Sequence, residues 1–123
     1  MRAIIVGTMA MAMLGAAVAP AAAETFVRLQ NDSVHPSNAT LGKRSRDIRP
    51  RKAFNFPIED TSNVLSIIFA SGQVGRGDLD VSEAAPFTDP ADGNDYYCVS
   101  YDEDGPTVNS QAQCEALVTK GRK

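Results

Sequence analysis

Residues 96–114 read YYCVSYDEDGPTVNSQAQC and contain both cysteines of this 123-residue chain. The aromatic and β-branched residues at 96–101 are typical of a strand, whose alternate side chains point to opposite faces. Ser110 is a predicted helix N-cap, and Gln113 three positions later completes a capping box. The stretch therefore predicts a strand, an acidic turn and a C-terminal helix over 111–120.

The positions of the two cysteines predict that they join this strand to this helix. Cys98 lies on one face of the strand, and Cys114 lies on the helix face that also carries Leu117 and Val118. Two cysteines in an exported chain favour a disulfide over free thiols, because the compartment is oxidising. We expect a Cys98–Cys114 bridge, which contributes about 3 kcal/mol in the chain-entropy model.

The first 23 residues have the composition of a secretory signal peptide. Arg2 gives a short positive region, residues 3–19 are small and apolar, and an Ala-Ala-Ala sequence ends at Ala23. The alternative of a membrane anchor needs about 20 apolar residues, more than this segment provides. We expect cleavage after Ala23, a single mature β-rich domain over residues 24–123 without a stable membrane span, and a secreted or periplasmic location.

Alternating apolar and polar residues predict further strands at 25–30, 39–41, 53–58 and 64–70. The segment 64–70 is the most apolar run after the signal peptide, and it is predicted to be a central strand buried on both faces. Its apolar side chains are expected at the centre of the core: Val64, Leu65, Ile67, Ile68 and Phe69. We predict a mainly β fold, a small antiparallel β-sandwich or open sheet of five to six strands with a C-terminal α-helix that the disulfide staples to it.

Two connections between these strands have distinctive compositions. The segment 71–77 contains three glycines and is predicted to be a flexible turn, with a short strand at 73–74 as an alternative, and 78–95 is predicted to be a long acidic loop. Four side chains of the loop are candidate calcium ligands: Asp89, Asp92, Asn94 and Asp95. The spacing of an EF-hand is absent, which favours a solvated loop over a calcium site. No other cofactor is expected.

A basic block of six residues occupies positions 43–52: Lys43, Arg44, Arg46, Arg49, Arg51 and Lys52. Pro50 interrupts the block, so an exposed loop is expected in place of a long basic helix. The block is a candidate site for a polyanion such as lipopolysaccharide. Nucleic acid is not expected, because no aromatic residue interleaves the block. Pairing with the chain's own acidic loop is the structural alternative.

The sequence gives little support to a catalytic centre. The chain has one histidine, His35, which sits in a predicted turn, and no serine lies in a G-x-S-x-G context. We predict a small exported, non-catalytic interaction module whose partner is a protein or a cell-envelope component. The alternatives are a small secreted hydrolase that uses a pair of carboxylates and a polyanion-binding surface protein that uses the basic block. The oligomeric state stays open.

Overall fold

The computed structural model describes residues 23–120, so the predicted signal peptide lies outside the described residues except for Ala23. The described chain is mainly β, with 53% of its residues in strands and one helix near its end. The elements in chain order are β1 (Thr25–Asn31), β2 (Ser37–Leu41), β3 (Arg44–Ile48), β4 (Ala53–Ile58), β5 (Ser62–Phe69), β6 (Val74–Asp80), β7 (Phe87–Thr88), β8 (Asp95–Asp102), β9 (Gly105–Val108) and α1 (Gln111–Lys120).

These strands form two sheets. The first has the order β9-β8-β1-β4, and the short β7 also pairs with β8. The second has the order β3-β2-β5-β6 and is antiparallel throughout. In the first sheet β8 and β1 are parallel, with Asp95 opposite Thr25 and Tyr101 opposite Asn31, while the other pairs are antiparallel.

The inner faces of the two sheets contribute to one hydrophobic core. The first sheet supplies Val27, Leu29, Phe56, Val99 and Tyr101, and the second supplies Ala39, Leu41, Ile48, Leu65, Ile67, Phe69 and Leu79. Because strand side chains alternate, each sheet has an outer face on which polar residues remain exposed. The prediction of a small β-sandwich with a C-terminal helix is confirmed.

The helix α1 packs against the first sheet through a second, smaller core. Cys98 and Cys114 form the predicted disulfide, with their Cα atoms 5.2 Å apart, and both are buried. The capping box is also present, since the Ser110 N–H donates to Gln113 Oε1 at 2.8 Å and the Gln113 N–H donates to Ser110 Oγ at 3.2 Å. Sequence reasoning therefore placed the helix and the bridge correctly.

The strand β5 differs from its prediction, although it is central in its sheet. Leu65 and Phe69 face the core, but Val64 is 40% exposed and Ile68 is 50% exposed. The prediction of burial on both faces was wrong, because no layer of the described residues covers the outer face of this sheet there. An apolar run of this length does not distinguish a strand buried on two faces from one buried on a single face.

Four strands lie in segments predicted as turn or loop, the short β7 and β9 and the longer β3 and β6, so the described residues contain nine strands where five to six were predicted. Residues 44–48 of the basic block form β3, which pairs with β2 along its whole length. Residues 71–73 form the predicted turn, but the rest of the glycine-rich segment, residues 74–77, belongs to β6, and the acidic loop begins inside that strand. Both segments were missed because charged or glycine-rich strands lack the apolar alternation that indicates a strand.

Candidate functional site

The four outermost strands of the two sheets differ in how well their free edges are protected. An unpaired edge invites another strand, and proteins block it with proline, inward-pointing charge or short length. In this chain β4 contains Pro57, and β9 is four residues long and contains Pro106. On β3, Arg46 places its guanidinium 4.3 Å from the ring centre of Phe54 and covers that side of the sandwich. These three edges are protected.

The remaining edge belongs to β6, whose sequence is VGRGDLD. The strand is seven residues long, contains no proline, and has β5 as its one partner among residues 23–120. Gly75 and Gly77 present bare backbone, and a Cβ added to either would meet nothing within 4 Å. Val74 is 60% exposed beside them. This edge is the least protected of the four.

The register of β6 determines which of its backbone groups face outward. The Phe69 N–H donates to the Gln73 carbonyl at 2.9 Å, and the Val81 N–H donates to the Thr61 carbonyl at 3.0 Å. Hydrogen-bonded and non-hydrogen-bonded pairs alternate along an antiparallel ladder. The odd-numbered residues of β6 therefore bond to β5. Its even-numbered residues direct their N–H and C=O groups to the free edge: Val74, Arg76, Asp78 and Asp80.

An apolar groove lies between β6 and the turn that joins β8 to β9. Its volume is about 320 Å³. Its buried lining residues are Leu65, Ile67, Phe69, Leu79 and Tyr101. Its rim carries charges of both signs: Arg76, Asp78, Asp102, Glu103 and Asp104. At one end Gln73 Nε2 donates to the Glu103 carbonyl at 2.9 Å and connects the two sheets. The free edge of β6 therefore borders the side on which the sandwich is open.

The structure divides the predicted polyanion-binding block into separate groups. Lys43 and Arg44 lie at the turn between β2 and β3, while the other basic residues apart from Arg46 lie beyond the far end of β3: Arg49, Arg51 and Lys52. A strand of this length separates the two groups by about 15 Å. Arg46 stands between them and packs on Phe54. The block therefore does not form one continuous surface.

Two residues of the basic block line a depression together with a third basic residue, Arg28, which sequence reasoning did not connect with them. Arg51 and Lys52 line a shallow depression of about 610 Å³ together with Arg28, Asp92 and Tyr96. Arg28 Nη1 donates to the Gln30 side-chain oxygen at 2.7 Å, and partial burial lowers the pKa of Arg28. The signal for Arg28 was its polar position in the alternating segment 25–30, but sequence alone did not relate it to residues more than twenty positions away.

The four candidate calcium ligands already accept hydrogen bonds from groups of the protein, inside and outside their loop. Asp89 is buried and its Oδ1 accepts from the Ala91 N–H at 3.0 Å. Asp92 accepts from the Asn94 N–H at 2.8 Å and from the Tyr96 hydroxyl at 2.6 Å. Asn94 Oδ1 accepts from the Glu24 N–H at 3.0 Å, and Asp95 accepts from the Thr88 hydroxyl. Within residues 23–120, no group of three or more His, Cys, Asp or Glu residues is placed to hold a metal ion.

The pKa values of Asp80 and Asp92 are lowered, whereas a general acid needs a raised pKa. The Ser82 N–H bonds to Asp80 and lowers its pKa. The hydroxyl of Tyr96 lowers the pKa of Asp92, with help from the N–H of Asn94. A carboxylate-dependent hydrolase needs one carboxyl with a raised pKa as its acid. These two groups are therefore unsuited to that role.

Comparison with known proteins gave no match to a family model, a curated protein or a solved structure. The helix described here is too short and too polar to cross a membrane. The disulfide is evidence for an oxidising environment outside the cytosol.

Proposed function

We propose that this chain is a small exported, non-catalytic interaction module that binds an extended polypeptide along the free edge of β6. The observation that carries this proposal is that the seven-residue edge of β6 is the least protected of the four and lies beside an apolar groove. Addition of a strand to an exposed edge is a recurring mode of peptide recognition, in which main-chain hydrogen bonds give affinity and side-chain pockets give specificity.

The two glycines of β6 make the edge suitable for close approach of another backbone. Glycine in a strand often marks such a place, since no side chain obstructs the incoming chain. The outward-facing backbone groups of Val74, Arg76, Asp78 and Asp80 supply the hydrogen bonds. Alternate side chains of the added strand then enter the groove beside Leu79.

The proposed location is the periplasm or the extracellular space. Two independent features support it, namely the signal-peptide composition of residues 1–23 and the Cys98–Cys114 bridge. A protein or another cell-envelope component is the partner class that such a location offers.

Selection from a phage-displayed library of seven-residue peptides tests the proposed function. We expect enriched peptides to lose binding to the Asp78→Pro variant, because proline removes an outward N–H while leaving the bonds from β6 to β5 in place. Asp78→Ala is the matched control, since it removes the same charge but keeps the N–H, and it should still bind. The proposal fails if no peptide is enriched, or if Asp78→Pro binds as well as Asp78→Ala.

A second candidate function is binding of a sulfated or phosphorylated polyanion in the depression formed by Arg28, Arg51 and Lys52. The observation in its favour is that three cations, from β1 and from the connection between β3 and β4, share one concave surface. Retention on heparin resin should decrease strongly in the Arg51→Ala/Lys52→Ala variant. Lys43→Ala/Arg44→Ala is the control with the same charge change at the other end of β3. Failure of the protein to bind the resin at low salt would remove this candidate.

A further inference from the structure

The edge of β6 is complementary to itself when two copies run in opposite directions. Arg76 and Asp78 stand one residue on either side of Gly77, so reversal of the strand exchanges the positive and negative charges. We infer that the extended polypeptide bound by β6 is the β6 strand of a second copy of this chain, paired antiparallel about a two-fold axis at Gly77. This inference rests on the proposed function and names its partner.

The backbone of β6 permits this register. The residues that direct hydrogen-bonding groups outward are even-numbered, and a two-fold axis at Gly77 places Arg76 opposite Asp78 of the second copy and Val74 opposite its Asp80. Each of these is a pair of outward-facing residues, so each exchanges two hydrogen bonds. Gly77 lies opposite Gly77 of the second copy. The two form a non-hydrogen-bonded pair, in which the Cα atoms are closer together than in a hydrogen-bonded pair.

The charges of β6 favour this register over the registers that are shifted by two residues in either direction. A shift by two residues in one direction would place Arg76 opposite Arg76 of the second copy, and a shift in the other would place Asp78 opposite Asp78. Like charges directly opposite each other destabilise an antiparallel pair, whereas opposite charges stabilise it. With the axis at Gly77, both Arg76–Asp78 pairs form by symmetry.

The space beside the edge also accommodates a second copy. On the face that borders the groove, Gly75 lies opposite Leu79 of the second copy, and Gly77 lies opposite Gly77. A Cβ added at either glycine meets nothing within 4 Å, so the inner side of the edge is open. The second sheet of each copy would continue into that of the other, and the least protected edge among the described strands would be covered.

Disulfide trapping at the two-fold axis tests the register. In a non-hydrogen-bonded pair the Cα atoms are about 4.5 Å apart, which lies inside the range of about 4.4–6.8 Å that a disulfide spans. Gly77→Cys should therefore give a covalent dimer under mild oxidation, measured as intact mass without reductant. The native Cys98–Cys114 bridge stays as it is.

Gly75→Cys is the matched control for this experiment. Residue 75 lies on the same strand and the same face, has equal free space, and has no left-handed backbone. In the proposed register the Gly75 residues of the two copies are four positions apart along the paired strands, about 14 Å. The Gly75→Cys variant should therefore remain monomeric. Equal trapping of both variants, trapping of Gly75→Cys alone, or no trapping would overturn the register.

A charge exchange gives a second test, which needs no new cysteine. Arg76→Asp alone and Asp78→Arg alone should each raise the dissociation constant of the dimer about tenfold or more, because both replace opposite charges with like charges. The Arg76→Asp/Asp78→Arg double variant restores opposite charges and should recover the affinity, measured by analytical ultracentrifugation over a range of concentrations. A double variant no better than either single variant would contradict the pairing.

The outcomes separate this inference from the proposed function. If Gly77→Cys gives no dimer while library peptides still need the Asp78 N–H, the self-pairing is wrong and the interaction module stands. If the peptides also bind independently of that N–H, both are wrong. If Gly77→Cys alone is trapped and the charge exchange rescues the dimer, the partner of β6 is a second copy of this chain.

Discussion

At the scale of single residues, Asn31 at the end of β1 bonds through its buried side chain to the end of β3 and to the loop that leads to β2. Its Nδ2 donates to the His35 carbonyl at 2.8 Å and to the Ile48 carbonyl at 3.0 Å, and its Oδ1 accepts from the Ser33 N–H at 2.9 Å. The residue is fully buried at the end of β1. The reach of the Asn31 side chain to Ile48 depends on how the strands are placed beside each other, so the sequence alone gave no signal for it.

Replacement of Asn31 by alanine should lower the free energy of unfolding by about 3 kcal/mol, because buried carbonyl groups lose their donor. Urea denaturation at neutral pH measures this loss. Asn38→Ala is the matched control, since its side chain donates to Asp47 at 2.9 Å on the exposed outer face. That change should cost less than about 1 kcal/mol. Equal losses in the two variants would contradict the role assigned to Asn31.

Tyr101 gives the molecule a predicted sensitivity to alkaline pH. The ring is buried, its hydroxyl lies 2.5 Å from Ser37 Oγ, and burial raises the pKa of Tyr101. The folded protein therefore keeps this proton at a pH where the unfolded chain, with a pKa of about 10, has lost it. The stability from this group is fully present below about pH 10 and is lost as the pH rises through the folded pKa.

We expect Tyr101→Phe to be less stable than the natural protein at neutral pH but to lose less stability between about pH 8 and pH 11. Urea denaturation at both pH values measures the two differences. Some alkaline loss should remain in the variant, because burial also raises the pKa of Tyr96. An identical alkaline loss in both proteins would contradict the assignment to Tyr101.

At the scale of secondary structure, the disulfide should decide whether α1 stays attached to the first sheet. The helix has ten residues and buries Cys114, with Leu117 and Val118 packed beside it. Isolated helices shorter than about 12 residues are marginal in water, so α1 depends on its attachment. Cys98→Ala/Cys114→Ala should lower the free energy of unfolding by about 3 kcal/mol.

Hydrogen exchange by mass spectrometry separates loss of the helix from loss of the whole fold. In the double alanine variant the amides of α1 should exchange faster than those of β1, whereas in the natural protein the difference should be smaller. Ser110→Ala serves as a milder comparison, because it removes the N-cap but keeps the bridge, at a cost of about 1 kcal/mol. Helix amides that exchange equally in all three proteins would show that α1 does not need the bridge.

The elements that sequence predicted well are those with a local signal. Helix α1 begins after a capping box, and β4 and β8 alternate or are rich in aromatic residues. The elements it missed, β3, β6, β7 and β9, are strands because a neighbour pairs with them, not because of their own composition. The candidate site was missed for the same reason, since a glycine-rich sequence has meaning as an edge only once β5 lies beside it.

At the scale of the whole molecule, the two sheets are closed on one side and open on the other. On the closed side Arg46 covers Phe54, and on the open side the groove separates β6 from the β8–β9 turn. The parallel pair of β1 and β8 joins residues about 70 positions apart in the chain. No local pattern specifies a contact of such separation, so the sequence predicted the sandwich but not its topology or its open side.

This asymmetry predicts a gradient of amide exchange across the molecule. The central strands β1 and β8 have partners on both sides and should be the most protected. Along β6 the exchange should alternate, because the N–H groups of Gly75, Gly77 and Leu79 bond to β5 while those of Arg76 and Asp78 face outward. Residue-resolved exchange by NMR at low protein concentration measures this pattern.

The same exchange measurement at higher protein concentration tests whether a second copy covers the free edge of β6. If a second copy covers the edge, the amides of Arg76 and Asp78 should become protected, while Gly75, Gly77 and Leu79 should change little. The amides of β3 are the internal control, because Arg46 protects that edge and no second copy is expected there. Absence of alternation along β6 at low concentration would mean that its outward groups are misassigned, and the register centred on Gly77 would fail with it.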